Sequence, residues 1–456
     1  LRPVKTPVFL AATKCLFAHW SRIQQVLPPP MAFSTAQPSA SGMSPGKTPH
    51  SRLSDRSLLA LAVLNFFLAD ARDGLGPFLD AFLATRGWSS VNLGLIATVG
   101  GLIGLLATPL CGALVDGTRW KRALIAGPVI LVTAAALITL IEPTVAIVWI
   151  GQIGTAVVGA VIGPALAGLT LGLVGEKMFS HQIARNEVWN HAGNLTTLAV
   201  IFFAVTMFGR NAMIWEMIAT AVCALAAVAA IDASRIDHKV ARGLGEDKGE
   251  PGPSGFSVLL KTRGLVLLAV ILLIFHFGNA PMSRLIAQQF AIELNSPFRT
   301  TAVITGISQL AMVGVALVAP ILIRRFGLAT TLAIGLFALP IRGVLAASFH
   351  DFWIVYPTQV LDGVGAGLLG IVTPVAVERM LKGTGRFNVG FAAVMTVQGV
   401  GASLSNVVAG WLVSVGGYSL SHIVAAGVAV LAFVVFFIYR KEIAPKQSDH
   451  AEAKTG

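Results

Sequence analysis

The chain reads as an all-α membrane protein: twelve transmembrane helices in two pseudo-symmetric six-helix bundles. Three observations carry that reading. Apolar stretches of membrane length recur twelve times along the 456 residues, and about 20 residues at about 1.5 Å each cross a hydrocarbon layer of about 30 Å once. One long polar break follows the sixth stretch. Basic residues gather in alternate loops.

Composition excludes an ordinary soluble globule. Mean hydropathy is +0.78, hydrophobic residues make up 55% and charged residues only 12%. The net charge of +12 would favour nucleic acid in a soluble protein. Here the basic residues sit in particular loops, with no stripe of interleaved aromatics, so nucleic acid is not an expected partner. Cys111 and Cys223 lie inside spans and Cys15 in the tail, without metal-ligand spacing, so neither a disulfide framework nor a zinc site is expected.

Taken in order, residues 1–54 resemble nothing folded: Pro28, Pro29 and Pro30 run into a Ser/Pro/Gly-rich stretch. Two readings fit, a disordered cytoplasmic tail or an upstream extension with the true start at Met31 or Met43, and the second is preferred. Gly46-Lys47-Thr48 is not a P-loop, because the glycine that motif needs five residues earlier is Ser41. The spans are 57–83, 91–115, 123–141, 144–173, 184–208, 212–231, 264–290, 301–323, 328–348, 352–377, 387–413 and 419–439. Each must be a helix, since hydrocarbon offers backbone polar groups no other partner. The domains follow: an N-terminal bundle over 55–231, a polar linker over 232–263, a C-terminal bundle over 264–442 and a tail over 443–456.

The loops on one side, including the linker, hold sixteen Lys and Arg residues; the opposite loops hold three, Arg86, Arg210 and Arg299. Basic loops stay in the cytoplasm, which puts both termini and the linker there. The halves also echo each other. Pro77 and Asp80 in span 1 match Pro281 and Arg284 in span 7 at an offset of 204, while Arg185 and Arg386 repeat at 201. Such near-constancy points to two six-helix repeats. Trp120, Trp149, Trp353 and Trp411 fall near span ends, as an interfacial belt expects.

Twelve spans, a 6+6 split and a central linker resemble the major facilitator superfamily. The loop after span 2 strengthens this: Gly112-Ala113-Leu114-Val115-Asp116-Gly117-Thr118-Arg119-Trp120-Lys121-Arg122 resembles the family pattern G-x-L-x-D-R-x-G-R-[RK]. Gly112, Leu114, Asp116 and Lys121 match; Gly117 and Arg119 depart from it. The resemblance implies that this cluster holds the cytoplasmic ends together in one conformation. Glu176 and Arg185 join it from the first half, and Arg324, Arg325, Glu378 and Arg386 from the second; simple positive-inside anchoring is the rival account. Gly112 is expected to let a neighbouring helix approach closely. The span-5 signature of drug/proton antiporters is not met: Gly159-Ala160-Val161-Ile162-Gly163-Pro164 resembles it but falls in span 4.

Ionisable groups at mid-membrane cost about 2.5–3.5 kcal/mol each on insertion scales, so they face water or a partner. In the superfamily, spans 1, 4, 7 and 10 line a central cavity. Candidate cavity residues are Asp80, Gln152, Asn279, Arg284, Gln288 and Gln359, joined by Asn190, His191 and Asn194 of a polar stripe that begins at Glu187 in span 5. Asp80 and Arg284 occupy equivalent positions and are expected to pair across the bundles. Asp73 leads the proton-coupling candidates, followed by Asp70, His276 and Asp362. An ion pair of Asp73 with Arg72 or Arg284 is its rival role, and Arg342 could partner Asp362. Asp73 and Asp80, seven residues apart, are expected on one helical face.

The implied function is secondary transport of a small organic solute by alternating access, in the plasma membrane (a bacterial inner membrane), by a protein expected to be a monomer. No ATP-binding motif appears and no cofactor is expected, so a proton or solute gradient would supply the energy. Proton-coupled efflux is preferred over uptake by symport. No metal or nucleophile constellation suggests a membrane enzyme, and the linker is too short for a receptor domain.

Overall fold

The computed structural model describes residues 49–238, 240–242, 260–381 and 387–443. Of these, the side chains of 49–55, 109, 113, 116, 117, 176, 177, 180, 181, 184, 242 and 387–389 lie outside the description. The readings made of the N-terminal tail, the P-loop lookalike, most of the linker and the C-terminal tail therefore fall largely outside it. The chain divides into two units, Leu1–Ser51 and Arg52–Gly456, and everything below concerns the second.

Every long element is helical. In order they are α1 (Pro49–Ala71), α2 (Phe78–Ala84), α3 (Ser90–Gly117), α4 (Ala123–Ile141), α5 (Val145–Gly159), α6 (Ile162–Phe208), α7 (Arg210–Ala230), α8 (Arg263–Leu294), α9 (Pro297–Ser348), α10 (Val355–Met380) and α11 (Phe387–Ile443). Nine stretches of the described residues are long and apolar enough to cross a membrane. Two of them, Pro297–Ser348 and Gly390–Ile443, run to 52 and 54 residues, far more than one crossing needs. Each is broken at glycine, α9 at Gly327 (φ 83) and α11 at Gly416 and Gly417 (φ 74 at the latter). The expected spans 8 and 9, and 11 and 12, lie on either side of these breaks. Gly175 (φ 73) likewise divides α6 between the expected spans 4 and 5. Positive φ costs glycine little, which is why the chain turns there. Side-chain caps close other ends: Ser89 accepts from the Asn92 N–H, and Thr144 from that of Ile147.

Span 1 departs from the expectation. Its helix stops at Ala71, residues 72–77 form turns, and α2 restarts at Phe78. Gly74 (φ 60) and Gly76 (φ 41) take left-handed backbone there, and Pro77 offers no N–H to carry a helix through. Asp73 and Asp80 therefore do not share one continuous helical face. Residues 160–161 form a second interruption, between α5 and α6.

Apolar burial forms separate cores in the two halves. Leu61, Leu64, Leu68, Ile125, Val129 and Leu169 lead one N-terminal cluster, while Leu272, Phe275, Leu332, Leu336, Val372 and Phe436 belong to the C-terminal one. A third cluster, built on Phe78, Phe82, Leu93 and Met213, also takes in Phe298 and Ala302. It bridges the halves, and Phe82 stacks on Phe298 at 5.7 Å between ring centroids. Outside these cores large apolar side chains stay exposed, among them Leu106, Leu110, Met207 and Leu317, as lipid-facing surfaces require. Trp120, Trp353 and Trp411 are exposed as well.

Candidate functional site

Polar contacts between the halves cluster at the end that carries the turn after α2 and the turn between α8 and α9. Asp80 of α2 pairs with Arg284 of α8, Oδ2 to Nη2, at 2.5 Å. Gln288 Nε2 donates to the same carboxylate oxygen at 3.2 Å, and its Oε1 accepts from Ser90 Oγ of α3 at 2.8 Å. Arg284 also donates to Asn406 Oδ1 of α11 at 2.8 Å. Four helices thus meet at one node in which Asp80 and Gln288 are buried. Charge-assisted hydrogen bonds of this kind are strong where water is scarce.

Next to the node, α3 and α11 touch backbone to backbone. A Cβ on Gly94 would overlap the carbonyl of Asn406, and one on Gly410 that of Ser90. Thr98 Oγ1 donates to the Ser403 carbonyl at 2.7 Å and accepts from the Val407 N–H at 3.0 Å. Small residues permit this proximity. Gly112 does not play the part expected of it, since nothing lies within 4 Å of a Cβ added there. The close approach lies nearer the other end of α3.

The linker end looks different. Arg119, Arg185, Arg324, Arg325 and Glu378 are exposed, and among the described residues no ion pair joins Glu378 to the Arg324–Arg325 pair as expected. Lys121 is buried and donates to the Val115 carbonyl at 3.0 Å; Arg122 donates to that of Ala229 at 3.0 Å. Both tie α4 to its own half. The side chains of Asp116, Glu176 and Arg386 lie outside the described residues.

The C-terminal half contains a buried ionic network. Arg342 of α9 is fully buried, pairs with Asp362 of α10 at 2.8 Å, and donates to Asn279 at 2.7 Å and to Ser283. Ser308 donates to the other Asp362 oxygen at 2.6 Å, and Ser283 to Gln359 at 3.1 Å. Of the expected cavity and proton residues, Asn279, Gln359 and Asp362 are thus spoken for. His276 bonds its own helix through the Leu272 carbonyl at 3.0 Å, makes an edge contact with the Phe275 ring, and lies close enough to Asp362 of α10 to feel its charge.

In the N-terminal half, Asp73 sits on the turn, with 59% of its side chain exposed, 3.5 Å from Arg72. Asp70, on the last turn of α1, accepts from Thr220 of α7 at 3.1 Å and meets the Glu216 carboxyl. Gln152 is half-buried. The expected stripe of α6 lies along the edge of the buried surface: Glu187 and His191 are exposed, Asn190 is buried, and Asn194 donates to Asn190 at 3.4 Å. The buried polar chain nearby is instead Gln182–Asn186–Thr170, at 2.9 and 3.1 Å. Among the described residues no group of three or more His, Cys, Asp or Glu side chains could hold a metal ion.

Glu216 and His422 are the residues that sequence reasoning missed. Glu216 is the one acidic residue of its span, and intramembrane charge alone should have singled it out. His422 is buried, with neither ring nitrogen hydrogen-bonded.

The MFS_1 like family matches over residues 58–424. This chain belongs to the major facilitator superfamily. Two uncharacterised MFS-type transporters of Mycobacterium tuberculosis, from different strains, are each 37% identical over 390 residues, covering 84% of this chain and 93% of theirs. Among solved structures, a mutant of the nucleoside transporter NupG aligns with TM-score 0.69 at 14% identity, covering 84% of this chain and 99% of that one. A bacterial homologue of the human lysosomal transporter Spinster, inward-facing and unoccupied, gives 0.68 at 13%, covering 87% and 98%. At such identities these structures speak for the fold alone. The transporter is therefore an all-α, multi-pass membrane protein and not an enzyme.

Proposed function

We propose that this transporter exports a small organic solute in exchange for protons, by rocking two six-helix bundles, 55–231 and 264–442, about a cavity between them. The observation that carries the reading is the asymmetry of the contacts. One end is sealed by Asp80–Arg284, Gln288–Ser90 and the α3–α11 seam, whereas at the linker end Arg119, Arg185, Arg324, Arg325 and Glu378 are exposed and, among the described residues, no ion pair crosses between the halves there. An ion pair at the seam can break and re-form, which a carrier needs and a fixed receptor does not.

The positive-inside rule puts the linker end in the cytoplasm, with both termini. The conformation in hand would then be sealed outside and open inside, where a solute for export loads. Protons supply the drive; Gln152 and the Asp80–Arg284–Gln288 node line the path between the bundles.

Proteoliposomes holding the purified transporter and a panel of radiolabelled organic amines, nucleosides and carboxylates test this. A pH gradient, acidic on the side of the sealed end, should drive at least one solute towards that side against its concentration. Flux that ignores the gradient for every solute that moves would remove proton coupling. Accumulation on the opposite side would replace export with symport.

A further inference from the structure

We propose that Asp70 of α1 and Glu216 of α7 hold one exchangeable proton between them, at a site inside the N-terminal half and apart from the Asp80–Arg284 node. The claim deepens the proton-coupled reading above and rests on it for its role in transport. Its geometry stands by itself. Thr220, one turn along α7 from Glu216, donates to Asp70 at 3.1 Å, which sets the two carboxyl groups side by side within hydrogen-bond reach. A carboxylate accepts but does not donate, so such a contact closes only if one partner carries a proton.

Glu216 is 9% exposed, and its Oε2 is buried without a donor. An ionised oxygen left that way inside a membrane protein is costly, whereas a protonated one satisfies itself by donating to Asp70. Thr220 donates to Asp70 at 3.1 Å, and Thr197 of α6 bonds the Glu216 side chain, so both carboxyls keep their places whichever of them holds the proton.

Among the described residues no cation is in direct contact with the pair. On the same segment lie Arg72 and Asp73, which pair with each other at 3.5 Å. Packed on the turn from α4 are the apolar Val132 and Ala136, and from α5 comes Gly159. α6 adds the neutral Thr196 and Thr197, and α7 adds Thr220 and Cys223.

A route to the pair exists. An open, mostly apolar groove of about 750 Å³ runs along α7 from Asn211, beside the Gly209 turn, to Glu216 and Thr220, with Phe208 and Trp215 exposed on its walls. It lies within the N-terminal half and starts at the end of the molecule where the halves are sealed. A proton from water at that end can therefore reach Glu216 while the inter-bundle path stays shut. It forms an O–H bond on one carboxyl and leaves as the same proton, with no other bond altered. The pair also sits where it can be felt at the seal. Asp70 ends α1, its carbonyl accepts from the Asp73 N–H at 3.1 Å, and the turn continues into α2, which carries Asp80.

Infrared difference spectra of the full chain in lipid nanodiscs, in H2O and D2O, read the proton directly, without solute or gradient. At neutral pH the wild type should show a carboxylic-acid carbonyl band that shifts in D2O and disappears on alkaline titration as one proton per molecule leaves. Glu216→Gln should abolish the band, because its amide replaces the shared proton as donor to Asp70. Glu216→Asp should keep it, and serves if the amide variant does not fold. A wild type without the band, or a band that both Glu216→Gln and Asp70→Asn leave unchanged, overturns the site. If the band behaves as expected while flux in proteoliposomes ignores pH, the proton site stands and its role in coupling falls.

Discussion

Arg342 shows what a single residue can cost and hold. It is fully buried, and its charge is tolerated because Asp362, Asn279 and Ser283 surround it. Arg342→Leu would strand Asp362 with Ser308 as its remaining donor, at a cost of about 3–5 kcal/mol. The thermal unfolding midpoint in detergent should fall accordingly, and adding Asp362→Leu should recover much of the loss. An unchanged midpoint for the single variant would show that the pair does not hold α9 against α10. At the seal, Asp80→Arg should cripple transport and push the halves apart at that end. Arg284→Asp in the same molecule should restore the contact and a large part of the flux. Failure of the double variant in a folded protein would leave no role for the pair itself.

Residues such as these were partly legible beforehand. Asp80 and Arg284 stood out because charge in an apolar stretch needs a partner and the repeat offset linked the two positions. Asp73 stood out on the same ground, yet it lies on an exposed turn. Asp70, one turn before it, is half-buried, and the unremarked Glu216 is buried. The difference turns on two glycines and a proline that end α1 early, an effect no count of apolar residues registers.

At the scale of elements, the α3–α11 seam depends on the absence of side chains. Gly94→Ala or Gly410→Ala places a methyl group against the opposing backbone carbonyl, where neither strand of chain can yield. Overpacking of this kind costs about 1–3 kcal/mol, and here the cost falls on the sealed conformation. Cysteine-labelling of the sealed end should therefore quicken by about fivefold or more, with the midpoint of unfolding little changed. Gly112→Ala, with open space around it, is the control and should leave labelling as it was. The family-like loop predicted a close contact at Gly112 and was silent about Gly94. A glycine in a span says that a neighbour can come close, but not that one does.

At the scale of the whole molecule, transport by rocking requires the seam to open in every cycle. Cysteines at Thr98 and Ser403, joined by a short bifunctional reagent, should stop solute flux completely, and a cleavable reagent should return it on reduction. Continued flux through a fully cross-linked population would sink the alternating-access proposal. The basic loops make a separate forecast: a protease site inserted after Ile443 should be cut only from the cytoplasmic side of oriented vesicles. Cleavage from the outside would reverse the orientation assigned here.

What the order of residues determined alone was solvent and scale. Its runs of apolar side chains demanded helices and their lengths matched a bilayer, because each of these depends on local composition summed over a segment. Pairings were settled in three dimensions. Whether Asp70 meets Glu216, whether Arg342 reaches Asp362, and which glycine faces a backbone all depend on helix rotation and on where a helix breaks. A shift of one residue in either turns a side chain by about 100°, enough to exchange a partner for lipid.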